Sequence, residues 1–139
     1  MIKNVIFAGL TASIFGTIIS VAYFFVFKYS PLEADFSEHA SLTYLLGVNM
    51  MIGMSNCLVY FILAKLIKNE NIASFVNGFI LSAAIIALAL SIMFNVDAEL
   101  TFKNENAELY KDFYFFILAP IPFFSALSWF TFKPIFIRK

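Results

Sequence analysis

Four long stretches of the chain contain no Asp, Glu, Lys, Arg or His. They run from Val5 to Phe27, Leu42 to Ala64, Ile72 to Val96 and Phe113 to Phe132. An α-helix needs about 20 apolar residues to cross about 30 Å of hydrocarbon, so each stretch can span a bilayer. None alternates with a period of two, which argues against the strands of a membrane barrel. We therefore predict an all-α, integral membrane four-helix bundle, with residues 1–139 forming a single domain.

Composition excludes the main soluble classes. Hydrophobic residues make up 62% of the chain and charged residues only 13%, whereas soluble domains carry about 25% charged residues. A soluble fold of this size could not bury so much apolar surface, so the lipid bilayer is the expected solvent. Nine basic residues balance nine acidic residues, and this absence of a basic bias argues against nucleic acid as a partner.

Basic residues indicate the orientation of the bundle. The two termini and the second connection hold six of the nine, and because basic short loops stay inside, both termini are predicted to be cytoplasmic. Tyr60 and Trp129 lie near the inner ends of their spans, where such rings anchor helices at the headgroups. Eight Lys against one Arg, with abundant Ile and Asn, fits an AT-rich bacterial genome, so a bacterial cytoplasmic membrane is the expected location. The six basic residues on the predicted inner side are Lys3, Lys65, Lys68, Lys133, Arg138 and Lys139.

Small residues recur at four-residue spacing in the first and third spans. The rows are Gly9-Ser13-Thr17 and Ala12-Gly16-Ser20 in the first span and Ser74-Gly78-Ser82 in the third. Helices associate in lipid through close packing and interhelical hydrogen bonds, which favours such residues at interfaces. These positions therefore predict packing faces, with the two stripes facing each other or the second span. The residues are Gly9, Ser13 and Gly16 in the first span and Gly78 and Ser82 in the third.

The second span carries the most polar face. Asn49, Gly53 and Asn56 stand at i, i+4 and i+7, hence on one side of a helix. A lipid-facing amide is costly, so this side should point into the bundle or into a partner. Structural hydrogen bonding to Ser or Thr of the first helix is the preferred interpretation, and a site for water or a polar solute is the alternative.

A copper site built from sulfur ligands on the second span is a weaker alternative interpretation of this helix. Met50, Met54 and Cys57 share one side of the helix, and soft ligands of this kind suit Cu(I). However, no Met or His cluster outside the membrane would collect the ion, and Met commonly fills apolar cores. Since Cys57 is the only cysteine, an intramolecular disulfide and C-x-x-C chemistry are excluded. We predict no metal site and no cofactor.

The fourth span contains Pro120 and Pro122. Each proline removes a backbone donor and clashes with the carbonyl four residues earlier, here that of Phe116 or Leu118. A kink is therefore predicted in this helix. Only one helix is interrupted, whereas transporters with inverted repeats break two equivalent helices, so a structural kink is the preferred interpretation.

The predicted outer connections are short and acidic. Ser30 to Glu33 has the pattern of a helix start, and Asn104 is suited to cap the fourth helix. A divalent cation could bind to the charged and polar side chains near this helix start, namely Glu33, Asp35, Glu38 and His39. However, their spacing matches neither a calcium loop nor a His-x-x-x-His pair.

No group in the spans suggests an enzyme. The spans hold no ionisable residue of the kind that proton-coupled carriers use, and along the helix Cys57 lies about 27 Å from His39, too far for a catalytic dyad. We therefore expect a non-enzymatic accessory or scaffold subunit, without catalytic residues, that packs with partner membrane helices or with itself. The alternative is a small transporter or channel that passes a neutral or hydrophobic solute along the polar face of the second helix.

Overall fold

The computed structural model describes residues 2–29, 35–37, 39–94 and 107–137, and of residues 107–110 and 112 the backbone alone. Every regular element in these ranges is an α-helix. Four segments are long and apolar enough to cross a membrane, which confirms the prediction of an all-helical, multi-pass protein. The helices are α1 (Ile2–Lys28), α2 (Leu42–Leu66), α3 (Glu70–Met93), α4 (Ala107–Leu118) and α5 (Ile121–Phe136).

Local signals explain where α2 and α3 begin. The Ser41 hydroxyl accepts a hydrogen bond from the Tyr44 N–H at 3.2 Å, and the Asn69 side chain accepts from the N–H groups of Asn71 and Ile72. Both are N-cap arrangements that satisfy free amides of the first turn. Only residues 67–69 separate α2 from α3, so the two helices are antiparallel neighbours. The predicted helix start at Ser30 and the predicted cap at Asn104 lie outside the described residues.

The helices form a closely packed group and one peripheral member. α1 packs along both α2 and α5, and α2 also contacts α5. α3 contacts mainly α2, with smaller contacts to α4 and α5. The outward surfaces carry large apolar side chains; Phe75 on α3, for example, is 76% exposed. Such a surface is stable in lipid, since lipid tails are as apolar as the side chains.

Two apolar clusters fill the interior. One contains Val5, Tyr60, Ile85 and Trp129, and lies towards the end of the bundle that holds the N-terminus, the α2–α3 connection and the end of α5. We call this the terminal end. The other cluster contains Phe36, Leu45, Tyr114 and Ile121 and lies towards the opposite end. Tyr60 and Trp129 are each only 1% exposed, so both rings are packed inside the bundle.

The fourth spanning segment consists of two helices. α4 ends at Leu118 and α5 begins at Ile121, with Ala119 and Pro120 between them. The Ala119 N–H still reaches the Phe115 carbonyl at 3.0 Å, but Pro120 and Pro122 have no N–H to continue the series. The Phe123 N–H instead donates to the Pro120 carbonyl, three residues back, at 3.0 Å. The interruption therefore follows directly from the two missing donors.

Candidate functional site

α1 and α2 make a close helix contact at Gly9 and Gly53. A Cβ atom added at Gly53 would overlap the Ser13 hydroxyl and lie 2.9 Å from the Gly9 carbonyl oxygen. One added at Gly9 would overlap the Cys57 sulfur and lie 3.1 Å from the Gly53 carbonyl oxygen. The two backbones approach so closely that only glycine fits at either position. Gly9, Ser13 and Gly53, three of the predicted face residues, thus lie together at this seam.

Hydroxyl groups of α1 bond within their own helix. Ser13 donates to the Gly9 carbonyl at 2.8 Å, Thr17 to the Ser13 carbonyl at 2.8 Å, and Ser20 to the Gly16 carbonyl at 2.7 Å. All three side chains are buried. Bonding of this kind satisfies a hydroxyl where water is absent. These residues therefore add close packing and leave their oxygen lone pairs as acceptors for a neighbouring helix.

Asn49 is the main polar link of the bundle. Its amide donates to the Ser20 hydroxyl of α1 at 3.2 Å and to the Leu45 carbonyl at 2.8 Å. The Ser125 hydroxyl of α5 donates to the Asn49 main-chain oxygen at 3.2 Å. A Cβ at Gly16 would lie 2.7 Å from the Asn49 side-chain oxygen, so Gly16 makes room for the amide. α1, α2 and α5 are thus joined at one buried position.

Asn56 is buried as well, but its amide is less well satisfied. The side chain is 4% exposed, and its nitrogen has no hydrogen-bond partner among the described residues. The same residue lines an apolar groove of about 370 Å³ between α2 and α3. The two asparagines of the predicted face therefore have different surroundings, Asn49 in the packed core and Asn56 at the edge of a groove.

Gly78 and Ser82, predicted on the packing face of α3, lie at its margin. A Cβ at Gly78 would meet only the Phe130 ring, at 3.4 Å, which is an ordinary contact, and Ser82 is exposed. The row of α3 that is buried is a different one, spaced by four residues. It consists of Ala73, Asn77, Leu81, Ile85 and Ala89.

Asn77 is a polar core residue that the sequence analysis did not single out. It is 1% exposed, and its side-chain oxygen has no partner among the described residues. Its position in a row of apolar and small residues at four-residue spacing was the available signal. Without knowledge of which face of α3 is buried, that row could not be distinguished from the others on the same helix.

Lys133 and its neighbours form a second feature that the sequence analysis missed. The Lys133 ammonium donates a hydrogen bond to the Ser74 hydroxyl and lies 4.3 Å from the centre of the Tyr60 ring. Tyr60 packs edge-on against Trp129, with ring centres 5.9 Å apart. The Trp129 indole nitrogen is buried and has no hydrogen-bond partner among the described residues. A lysine one residue past an apolar run normally extends to water, so its inward turn was not foreseeable.

The sulfur side chains of Cys57 and Met54 on α2 have different surroundings. Cys57 is buried, and its thiol donates to the Val5 carbonyl on α1 at 3.1 Å. Met54 is 37% exposed on the outer surface of the bundle. Among the described residues, no group of three or more His, Cys, Asp or Glu side chains is close enough to hold a metal ion.

Asp35 is the described acidic residue of the connection between α1 and α2. Its carboxylate lies 2.9 Å from the Lys28 ammonium and accepts a hydrogen bond from the Ser37 N–H at 3.0 Å. Bonds from Ser37, and the bond from Lys28, lower the pKa of the Asp35 carboxyl to about 2. Glu33 and Glu38 lie outside the described residues.

Fold and site together define the class: a polytopic helical membrane protein with a glycine-based α1–α2–α5 core and a peripheral α3. No family model, no curated protein and no solved structure matches the chain.

Proposed function

We propose that the protein is a non-enzymatic accessory or scaffold subunit that packs with partner membrane helices or with a second copy of itself. The observation that carries the proposal is the difference in burial between the spans. In the apolar, membrane-spanning part of α3, only 22% of the residues are buried inside the bundle. The corresponding share is 44% for α1 and 56% for the fourth span. A helix that is so weakly enclosed by its own chain has most of its surface free for another helix.

The groove between α2 and α3 supports the same proposal. Its walls are almost entirely apolar, while the buried amide of Asn56 at its edge has no partner for its nitrogen. A neighbouring helix that fills the groove and offers an acceptor can satisfy this amide after rotation of the side chain. Interhelical polar bonds of this kind contribute about 0.6–2 kcal/mol each. The groove and the outward face of α3 are therefore the proposed docking surface.

Cross-linking tests the docking surface in membranes. In a Cys57→Ala background, a single cysteine replaces Phe79 on the outward face of α3 or, as the control, Ile18 on the outward face of α1; these side chains are 70% and 56% exposed. We expect cross-links to a second copy or to another membrane protein from position 79 and few from position 18. Equal yields at both positions, or none at either, would refute docking through α3.

The second candidate function is transport of a neutral or hydrophobic solute along the polar face of α2. It is favoured by the buried Asn56 nitrogen at the edge of the groove and by the Asn49 oxygen in the packed core, neither of which has a hydrogen-bond partner among the described residues. Flux across liposomes that contain only this protein distinguishes the two functions. A saturable flux above that of empty liposomes would support transport, and its absence would favour the accessory function.

The finer details of topology also belong to this proposal. We propose cytoplasmic termini in a bacterial cytoplasmic membrane, on the basis of the basic residues, and a fixed kink of the fourth span at Pro120 and Pro122. In a Cys57→Ala background, a cysteine at Ser37 should react with an impermeant thiol reagent in intact cells, and one at Asn69 should not. The reverse labelling pattern would place the termini outside.

A further inference from the structure

A cavity of about 420 Å³ opens at the terminal end of the bundle. Its walls come from the start of α1, the last turns of α2, the α2–α3 connection, the first residue of α3 and the residue after α5. Four of the seven lining residues are polar, namely Asn4, Tyr60, Lys68 and Glu70, and the other three are aliphatic. The cavity is therefore amphipathic, unlike the apolar groove between α2 and α3.

The depth of this cavity matches that of lipid headgroups. It lies where α2 ends and α3 begins, at the ends of two membrane-spanning segments. At this depth a bilayer changes from hydrocarbon to phosphate and glycerol. A cavity that combines ammonium, amide and aliphatic groups there is suited to the headgroup region of a lipid.

Among the described residues in and next to the cavity, Lys68 and Lys133 against Glu70 leave an excess of one positive charge. Lys68 lines the cavity, and the Lys133 ammonium lies directly behind the Tyr60 ring that forms part of its wall. Glu70 is the single acidic residue of the lining, and no described carboxylate forms an ion pair with either lysine. Lys133 donates to Ser74 and interacts electrostatically with Glu70, whereas the exposed Lys68 ammonium has no described carboxylate within ion-pair distance and is available to an anion.

From this arrangement we infer that the cavity binds the phosphate group of an anionic membrane lipid. The Lys68 ammonium and the Asn4 amide donate to the phosphate oxygens, and Lys133 adds positive potential from behind the Tyr60 ring. The aliphatic residues cover the first carbons below the headgroup. Basic pockets between transmembrane helices bind anionic headgroups in this way. This inference does not rest on the proposed accessory function.

Thermal unfolding of the purified full-length chain in a neutral detergent tests the inference. The probes are dioctanoyl phosphatidylglycerol, dioctanoyl phosphatidylcholine and inorganic phosphate. We expect phosphatidylglycerol to raise the Tm with saturation, because a ligand that binds only the folded state stabilises it. Equal stabilisation by phosphatidylcholine would overturn the requirement for an anion, and equal stabilisation by inorganic phosphate would overturn the lipid as its source.

Charge variants locate the binding. Lys68→Gln should weaken the apparent affinity for phosphatidylglycerol about tenfold, the effect of removing one charge-assisted hydrogen bond. Glu70→Gln should strengthen it, because it removes the opposing charge. Lys65→Gln is the matched control, since Lys65 lies at the same end but over the Phe61 ring, outside the cavity.

Lys133→Gln should also weaken binding, and a folding defect in that variant would not affect the comparison of Lys68 with Lys65. Both of those lysines are exposed, so neither substitution threatens the fold. If Lys65→Gln and Lys68→Gln weaken binding equally, general surface charge accounts for the effect and the cavity does not. If Glu70→Gln fails to strengthen binding, the phosphate does not occupy the cavity.

Discussion

The seam between α1 and α2 and the contact of α3 with the bundle use opposite kinds of packing. At the seam, Gly9 and Gly53 bring backbones together and no Cβ can be added at either residue. On α3, the glycine Gly78 has room for a methyl group, and the helix packs through the row that includes Leu81 and Ile85. In the membrane-spanning part of α1, 44% of the residues are buried inside the bundle, against only 22% in that of α3.

At the seam, the close backbone contact depends on a glycine on each of the two facing helices. Gly9 on α1 meets Gly53 on α2, and each leaves space for the other's carbonyl. Ser82 on α3 has a suitable size but is exposed and meets no such partner. In lipid, where apolar surface alone does not drive association, shape complementarity of both surfaces decides the contact.

The largest effect is expected from a methyl group at the seam. Gly53→Ala would force the backbones of α1 and α2 apart, because the added Cβ lies 2.9 Å from the Gly9 carbonyl oxygen. Overpacking of this kind costs about 1–3 kcal/mol. Unfolding by SDS in mixed micelles measures the loss.

Two other glycines provide matched controls for Gly53→Ala. Gly47→Ala on the same helix meets no atom within 4 Å, and Gly78→Ala meets the Phe130 ring at 3.4 Å. Both should keep or slightly raise the stability, since Ala is the better helix former. If Gly53→Ala is as stable as Gly47→Ala, the α1–α2 seam is not packed closely enough to exclude a methyl group, and it does not differ from α3 in this respect.

A smaller effect is expected from the buried amides. Asn49→Leu removes the hydrogen bond to Ser20 and crowds Gly16, so it should cost about 0.6–2 kcal/mol. Asn56→Leu should cost less, because the Asn56 nitrogen has no partner to lose. The same SDS titration compares the two variants. A greater loss from Asn56→Leu would mean that the α2–α3 side, and not the core, carries the polar stabilisation.

A weaker effect still is expected from the connection between α1 and α2. The pKa of Asp35 is about 2 in the folded chain, below the ordinary value of 3.8. Its contribution to stability is therefore complete above about pH 4 and is lost as the pH falls through 2. Asp35→Asn should lower the Tm slightly at pH 7, and the difference from wild type should shrink between pH 4 and pH 2. A constant difference over this range would exclude the carboxylate as its cause.

The smallest effect on stability is expected on the outward face of α3. Phe79 is 70% exposed, so Phe79→Ala should change the free energy of unfolding of the isolated protein by less than about 0.5 kcal/mol. The same substitution should lower the cross-linking yield from a cysteine at Phe75, if α3 is the docking helix. A large loss of stability in detergent would show that this face is covered within the monomer.

The helical class and most of the α2 face followed from the sequence. Absence of charge over about 20 residues sets a membrane span whatever its neighbours are, and the i, i+4, i+7 spacing places Asn49, Gly53 and Asn56 on one side in any α-helix. Asn77 and Lys133 were missed for a physical reason. The burial of Asn77 depends on which face of α3 meets the bundle, and that of Lys133 depends on its ammonium turning towards Ser74 on another helix. Neither can be derived from the sequence of a single helix.

The sequence by itself determined that the chain is helical, spans a membrane four times and has its fourth span interrupted, since apolar length and the missing N–H groups of Pro120 and Pro122 are local properties. Only the tertiary structure decided that Gly9 meets Gly53, that α3 is peripheral, and that Lys133 stands behind a polar cavity. These features depend on how well two surfaces fit each other, and each surface on its own is compatible with several partners.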